Sequence, residues 1–450
     1  MIINRHKLER FHRTRSSKLI LSALSSAIES VRPDSLIKHA VKFRKGELTV
    51  RDIYGNVAKL AEFDHVYIVG AGKAAIGMAR ALSSILDDKV TAGAITVPYG
   101  TATRKIKRVS VSEASHPIPD NAGIEGTRKI LSILRKADKN DLVVFLISGG
   151  GSALMPMPAS GISLADKQKI TGSLLRSGAS IHEINAVRKH LSAVKGGQLL
   201  RHVKASCTQL ALLLSDVIGD DLGIISSGPT YPDSSTFVDA LSILTKYRIE
   251  HPVAAIEYIA KGANGKIEET PKPQDELFSR IHNMLIGNNA IACRAAEDCL
   301  KKRRIQTVNL GSDFDGEAKE FGSFLAHRAL NLGGKRLALV AGGETTVKLG
   351  SMKGGLGGRN QEVALSFLAE LGREDVSVGC MGTDGIDGNS DAAGALVSPR
   401  TIILAKKMDL QKYLKKHDSY HAFKKLNSLI FTGFTGTNVN DIAIVCLESK

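Results

Sequence analysis

Tryptophan is absent from this 450-residue chain, and Phe, Trp and Tyr together supply only 5% of it. Few flat rings mean few platforms on which single-stranded bases stack. No apolar run reaches 18 residues, so no membrane-spanning helix is expected. The five cysteines, Cys207, Cys293, Cys299, Cys380 and Cys446, are scattered, odd in number, and lack C-x-x-C or Cys/His spacing. That pattern excludes a disulfide framework and a zinc site, and fits a reducing cytoplasm. Three catalytic signatures are also missing: G-x-x-x-x-G-K-[ST], G-x-S-x-G and H-E-x-x-H. "SDFDGEA" contains a D-F-D-G string without the rest of the protein-kinase set.

Positive charge is what the chain has in excess. It carries 61 Lys and Arg against 45 Asp and Glu, a formal charge of +16. The first 50 residues hold 11 of these cations against 4 acids, away from the glycine-rich motifs. Such a surplus attracts phosphate backbones. With few aromatics and no nucleic-acid motif, it reads instead as steering of anionic substrates or as solubility. The Arg- and Ser-rich N-terminus resembles an import signal in composition. Glu9, Glu29 and the helical period of Leu19, Ile20, Ala23, Leu24 and Ile28 predict a folded amphipathic helix.

With 43% hydrophobic residues, the chain is long enough for two cores. Short β-branched runs alternate with helix-period segments, which predicts α/β architecture. The runs are Val66–Val69, Ala94–Val97, Leu142–Ile147 and Leu210–Leu214, then Met284–Ile286, Thr307–Val308, Leu337–Val340, Val376–Cys380 and Ile442–Cys446. We expect two domains, each a mostly parallel sheet flanked by helices, the first Rossmann-like. The expected boundaries are 1–245, a Gly-, Pro- and charge-rich linker over 246–280, and 281–450.

In parallel sheets, ligands gather beyond the C-terminal ends of the strands. At the first such end, "VGAGKAA" spaces Gly70, Gly72 and Ala75 as in a dinucleotide fingerprint. The fingerprint also requires an acid ending the next strand. That strand ends in Pro98 and Tyr99. Lys73 in the turn points to anion handling instead. In "FLISGGGSAL", Ser148, Gly149, Gly150, Gly151 and Ser152 suggest a nest of backbone N–H groups around phosphate. Arg188 and Lys195 in "INAVRKHLSAVKGG" read equally as anion ligands or as a solvated helix face. Asp216 in "SDVIGDD", Glu344 in "GGETTV", and Asp384 and Asp387 in "GTDGIDG" are carboxylates suited to Mg²⁺ or to accepting a proton, or to capping turns. Arg359 in "GGRNQE" can offer its planar fork to an anion.

Taken in order, these motifs, with "SHPIPD", "SSGPTYPD" and "TGTNVND", resemble the glycerate kinase family whose C-terminal part is called the MOFRL domain. The resemblance runs from about residue 17 to the C-terminus. It implies two α/β domains facing an interdomain cleft, and ATP- and Mg²⁺-dependent phosphorylation of D-glycerate to 2-phosphoglycerate, with Lys73 and Arg359 central. Asp216 joins them as catalytic, and Gly72, Ser148 to Ser152, Arg188, Lys195, Glu344 and Asn360 as binding residues. Asp216, Glu344, Asp384 and Asp387 are the metal candidates. The alternatives are 3-kinase activity on the same fold and hydroxypyruvate or tartronate reduction. The expected partners are the small molecules D-glycerate and ATP, without nucleic acid or membrane, and a homodimer is the assembly considered.

Overall fold

A computed structural model describes residues 2–102, 105–204, 206–331, 337–350 and 354–448. The chain divides into two compact units. One is Leu36–Gly287, and the other joins Met1–Ser35 to Asn288–Lys450.

The continuous unit opens with a small antiparallel sheet of β1 (Val41–Arg44), β2 (Glu47–Arg51) and β3 (Val57–Leu60). Its main sheet contains β4 (His65–Ala71), β5 (Val90–Pro98), β6 (Val109–Ala114), β7 (Asp141–Ile147), β8 (Thr208–Leu214) and β9 (Ile281–Gly287). The order is β6-β5-β4-β7-β8-β9 and every pairing is parallel. This is the doubly wound order in which the winding reverses between the first and fourth strands, here β4 and β7. β7 lies between β4 and β8 and is buried along its whole length, hence its unbroken apolar run DLVVFLI.

The discontinuous unit contains β10 (Gln306–Asn309), β11 (Leu337–Gly343), β12 (Val376–Gly382), β13 (Gly394–Val397), β14 (Leu429–Ile430) and β15 (Asp441–Leu447). Their order is β10-β11-β15-β12-β13-β14. Only β10 and β11 pair in parallel; the other four pairings are antiparallel. The α/β expectation therefore holds with one correction, that the second sheet is mixed. Its last strand inserts between β11 and β12, antiparallel to both, and apolar runs alone carry no strand direction.

The division also falls elsewhere than the sequence suggests. The run Met284–Ile286 completes the first sheet as β9, so the unit extends to Gly287 rather than 245. The stretch taken as a linker contains a helix, Val253–Ala263, in the first unit, buried through Ala255, Ile259 and Gly262. A methyl group on Gly262 would fall 2.3 Å from the Phe237 ring. The basic N-terminus folds into the other unit, where the predicted amphipathic helix forms as Arg15–Ser30 and buries Leu19, Ile20, Leu21, Ala23, Leu24, Ala27 and Ile28. It packs on the helix Asn289–Lys301 and on β12 and β15. A Cβ on Gly379 would fall 2.4 Å from Ile20 Cγ2, so glycine lets the helix lie close to the sheet. All five cysteines are free and buried. Among the described residues, no helix is long and apolar enough to cross a membrane.

Because Leu24 is fully buried, Leu24→Ala should destabilise the discontinuous unit by about 2–5 kcal/mol in urea denaturation. An unchanged transition would mean that the N-terminal helix is an appendage.

Candidate functional site

Where β4 and β7 end, their chains turn away on either side of the winding reversal. Gly72 has φ +139°, and a Cβ there would meet Ser148 Oγ at 2.1 Å. The turns interlock: Gly72 N–H donates to the Thr96 carbonyl at 3.2 Å, Lys73 N–H to the Gly149 carbonyl at 2.9 Å, and Ala74 N–H to Ser148 Oγ at 3.0 Å. Gly150 has φ +84°, and a Cβ there would meet His116 at 3.0 Å and the Lys73 side chain at 3.5 Å. The structure thus brings Lys73, His116 and the Ser148–Ser152 turn together. Among the described residues, the N–H groups of Gly149, Gly150 and Ser152 find no acceptor within the chain. Unsatisfied donors are rare in native proteins, and here they converge on a turn with a lysine beside it. Backbone donors arranged in this way can receive an oxyanion.

A second layer lies behind the cradle. Ser226 Oγ donates to the Ser148 carbonyl at 2.9 Å, Ser152 and Ser227 hydroxyls meet at 2.7 Å, and Ser227 Oγ donates to Asn185 Oδ1 at 2.9 Å. Ser226, Ser227 and Gly228 have φ of +53°, +62° and +61°. Two consecutive left-handed serines are a strained arrangement of the kind found at functional sites. Lys195 is 2% exposed, with Nζ 3.3 Å from the Ser226 carbonyl. Burial pushes the Lys195 ammonium well below its ordinary pKa, and the charges of Lys167 and Arg188 push it further. Arg188, on the helix Ile181–His190, is also lowered by burial. Its neighbour Lys189 has a different role, pairing with buried Asp233 at 3.2 Å. Asp216 is half-buried two residues beyond β8, on the same edge of the sheet. Asp221 accepts from Gly223 N–H at 2.7 Å, an ordinary turn-capping arrangement.

The discontinuous unit organises Arg359. Gly357 has φ +148°, and the loop ahead of the helix Arg359–Glu370 is fixed by Gly357 N–H donating to Asn389 Oδ1 at 2.9 Å. Arg359 Nε lies 2.5 Å from Asp441 Oδ2, and Nη1 lies 2.8 Å from Glu344 Oε1. Burial opposes its charge, but Asp441 and Glu344 more than offset this and hold its pKa above the ordinary value. A third of the side chain stays exposed. The guanidinium is therefore a fixed, oriented cation with an open side.

Asp387 does not fit the metal role expected of it. Its Oδ1 accepts from Asn360 N–H at 3.0 Å and Asn360 Nδ2 at 3.2 Å, and its Oδ2 from Gln361 N–H at 2.8 Å and Gln361 Nε2 at 3.0 Å. A carboxylate has about four lone-pair sites. All four are taken, so Asp387 ties down the first turn of Arg359's helix. Burial raises its pKa to about 6 against the pull of these N–H groups, leaving it ionised at neutral pH and above. Asn360 Nδ2 also donates to Asp441 Oδ1 at 2.8 Å, which makes it a positioning residue for the cage. Glu344 follows β11, and Asp384 and Asp441 both face Gly382, their oxygens 3.2 and 3.4 Å from where its Cβ would stand.

Sequence reasoning missed Asp441, Lys167, Asn185, Ser226 and Ser227. The "TGTNVND" and "SSGPTYPD" motifs contain three of these five, but nothing local distinguished them.

Residues 19–260 match the model of a family described as a domain of unknown function (DUF4147), and residues 337–441 match the MOFRL family. A glycerate 2-kinase from Pyrococcus horikoshii is 42% identical, over 96% of this chain and 97% of its own. A putative hydroxypyruvate reductase from Agrobacterium vitis is 41% identical, over 84% of this chain and 86% of its own. A crystal structure of glycerate kinase from Thermotoga maritima is similar with a TM-score of 0.81 at 40% identity, covering 96% of this chain and 99% of that one.

Asp387→Asn turns an NH₂ group toward donors. It should cost about 2 kcal/mol or more in urea denaturation. A variant as stable as wild type would remove Asp387 from this organising role.

Proposed function

We infer, for a chain that belongs to the glycerate kinase family with its MOFRL part, that it is a glycerate 2-kinase. It moves the γ-phosphoryl of ATP onto the 2-hydroxyl of D-glycerate. The observation that carries this reading is the cradle at the winding reversal: three backbone N–H groups without acceptors, beside Lys73. A dinucleotide reading has less support, because β5 ends at Pro98 and no acid stands there for a ribose.

Phosphoryl transfer needs little covalent help from the protein, so positioning and electrostatics supply most of the rate. The glycerate hydroxyl oxygen forms a bond to the γ-phosphorus as the bond to ADP breaks, and the hydroxyl proton leaves. Gly149, Gly150 and Ser152 would hold phosphate oxygens, and Lys73 would neutralise their charge. Arg359, oriented by Asp441 and Glu344, would clamp a second anionic group with its open side. Asp216, beyond β8, is the carboxylate we assign to the hydroxyl proton.

The kinase class implies Mg²⁺. Asp384 and Glu344 suit it chemically, being hard oxygen donors in a cluster where carboxylates outnumber Arg359. Mg²⁺ commonly takes one or two protein carboxylates together with water and substrate phosphates. The absence of a closed group of three or more metal-ligating side chains among the described residues is compatible with that habit. When bound, the ion would neutralise charge on the nucleotide phosphates.

With D-glycerate and Mg-ATP, the protein should form a product that enolase consumes directly, without a mutase. NAD(P)H oxidation with hydroxypyruvate, and no phosphoglycerate, would replace the kinase by a reductase. Lys73→Ala and Arg359→Ala should each lower kcat by about a hundredfold or more with folding intact. Near-wild-type turnover in either variant would withdraw that residue's role.

A further inference from the structure

The continuous unit buries more positive charge than its own carboxylates answer. Lys167, on the helix Leu164–Arg176, is 7% exposed; among the described residues its Nζ hydrogen-bonds only to the carbonyls of Pro156, at 2.9 Å, and Met157, at 3.4 Å. Among the described residues, Lys195 Nζ hydrogen-bonds only to the Ser226 carbonyl. Arg188 has no hydrogen-bond or ion-pair partner among the described residues. The three are close enough to repel one another. The nearby acids serve other groups: Asp233 takes Lys189 and Thr270, and Glu269 takes His190 at 2.7 Å. A buried charge without a counterion is costly. Two such ammonium groups and a half-buried guanidinium, beside a strained pair of serines, mark a site that a ligand completes.

We propose that Lys167, Arg188 and Lys195 form the receptor for the carboxylate of the hydroxy-acid substrate, separate from the cradle that holds the phosphates. The proposal rests on the kinase reading. The hydroxyls of Ser152 and Ser227 link the two places, so a carboxylate in the receptor lies one hydrogen-bonded layer from a phosphate in the cradle. Arg188 brings a planar fork that suits a carboxylate, while the two ammonium groups add charge, one from the helix Leu164–Arg176 and one from the turn after the helix Ile181–His190. Lys167 is the residue that no motif announced.

Proton uptake follows from this arrangement. In the free protein, burial, followed by the charge of Arg188, lowers Lys167 to about 7. Above that pH it is largely neutral. An entering carboxylate favours the charged form, so Lys167 gains a proton from solvent as the substrate binds. Apparent affinity for the acid should therefore fall as pH rises above about 7, approaching tenfold per unit while the bound state keeps the proton. Lys195 is lowered in the same direction and adds to the effect. Among the described residues, the charged and titratable groups around the receptor include Lys167, Arg188 and Lys195 themselves, the Lys189–Asp233 pair, His190 with Glu269, and Asp221; a Cβ on Gly196 would meet Asp233 and Lys189 at 3.2 Å, and one on Gly223 would meet Asp221 at 3.1 Å and Lys189 at 3.6 Å.

The test uses Lys167→Met and Arg188→Gln. Met fills the volume of Lys without its charge, and Arg188 is only partly buried, so at least one variant should fold. Steady-state kinetics with D-glycerate and ATP varied in turn should show KM for D-glycerate raised about a hundredfold, with KM for ATP within about threefold of wild type. Calorimetric titration of D-glycerate at pH 8, in two buffers of different ionisation enthalpy, should show proton uptake by wild type and its loss in Lys167→Met. If KM for ATP rises instead, the receptor serves the nucleotide and the proposal is wrong. Unchanged KM for D-glycerate with unchanged proton uptake would also overturn it, while leaving the kinase reading standing. A wild type that neither binds nor phosphorylates D-glycerate would remove both.

Discussion

A parallel sheet that winds first one way and then the other must part its two central strands, and the backbone at the parting loses its neighbours. Here the parting lies between β4 and β7. Gly72 and Ser148 close it by packing backbone against backbone, too tightly for a Cβ. Among the described residues, the N–H groups of Gly149, Gly150 and Ser152 are then left without an acceptor in the chain, open to water or to the oxygen of a ligand. Lys73 and the serine layer derive their positions from this one constraint.

The two units handle charge in opposite ways. Around the first sheet, Lys73, Lys167, Arg188 and Lys195 gather cations, and the acids nearby are committed to Lys189 and His190. Around the second, Arg359 is surrounded by Asp441, Glu344 and Asp387. The first suits anionic oxygens; the second suits a hard cation and fixes one arginine.

Much of this was legible in the sequence because buried parallel strands read as continuous apolar runs and glycines mark close approaches. All nine apolar runs are strands, and the glycine turns follow them. Short alternating strands such as β2 and β3 were not legible, since ELTVR and VAKL look like many surface segments. Strand direction was equally hidden. Asp441 lies 82 residues from Arg359, and only the insertion of β15 beside β11 brings them together. Adjacent Arg188 and Lys189 are indistinguishable by period, yet Asp233 takes one and leaves the other. The hydrogen bonds of Asp387 were hidden as well, because its four donors come from a helix start 26 and 27 residues away.

The most direct measurement of the central claim is a crystal structure grown with ADP and Mg²⁺. It should show phosphate oxygens within hydrogen-bond distance of the N–H groups of Gly149, Gly150 or Ser152, with Lys73 turned toward them. A nucleotide bound with its phosphates elsewhere, and these amides facing only water, would contradict the account.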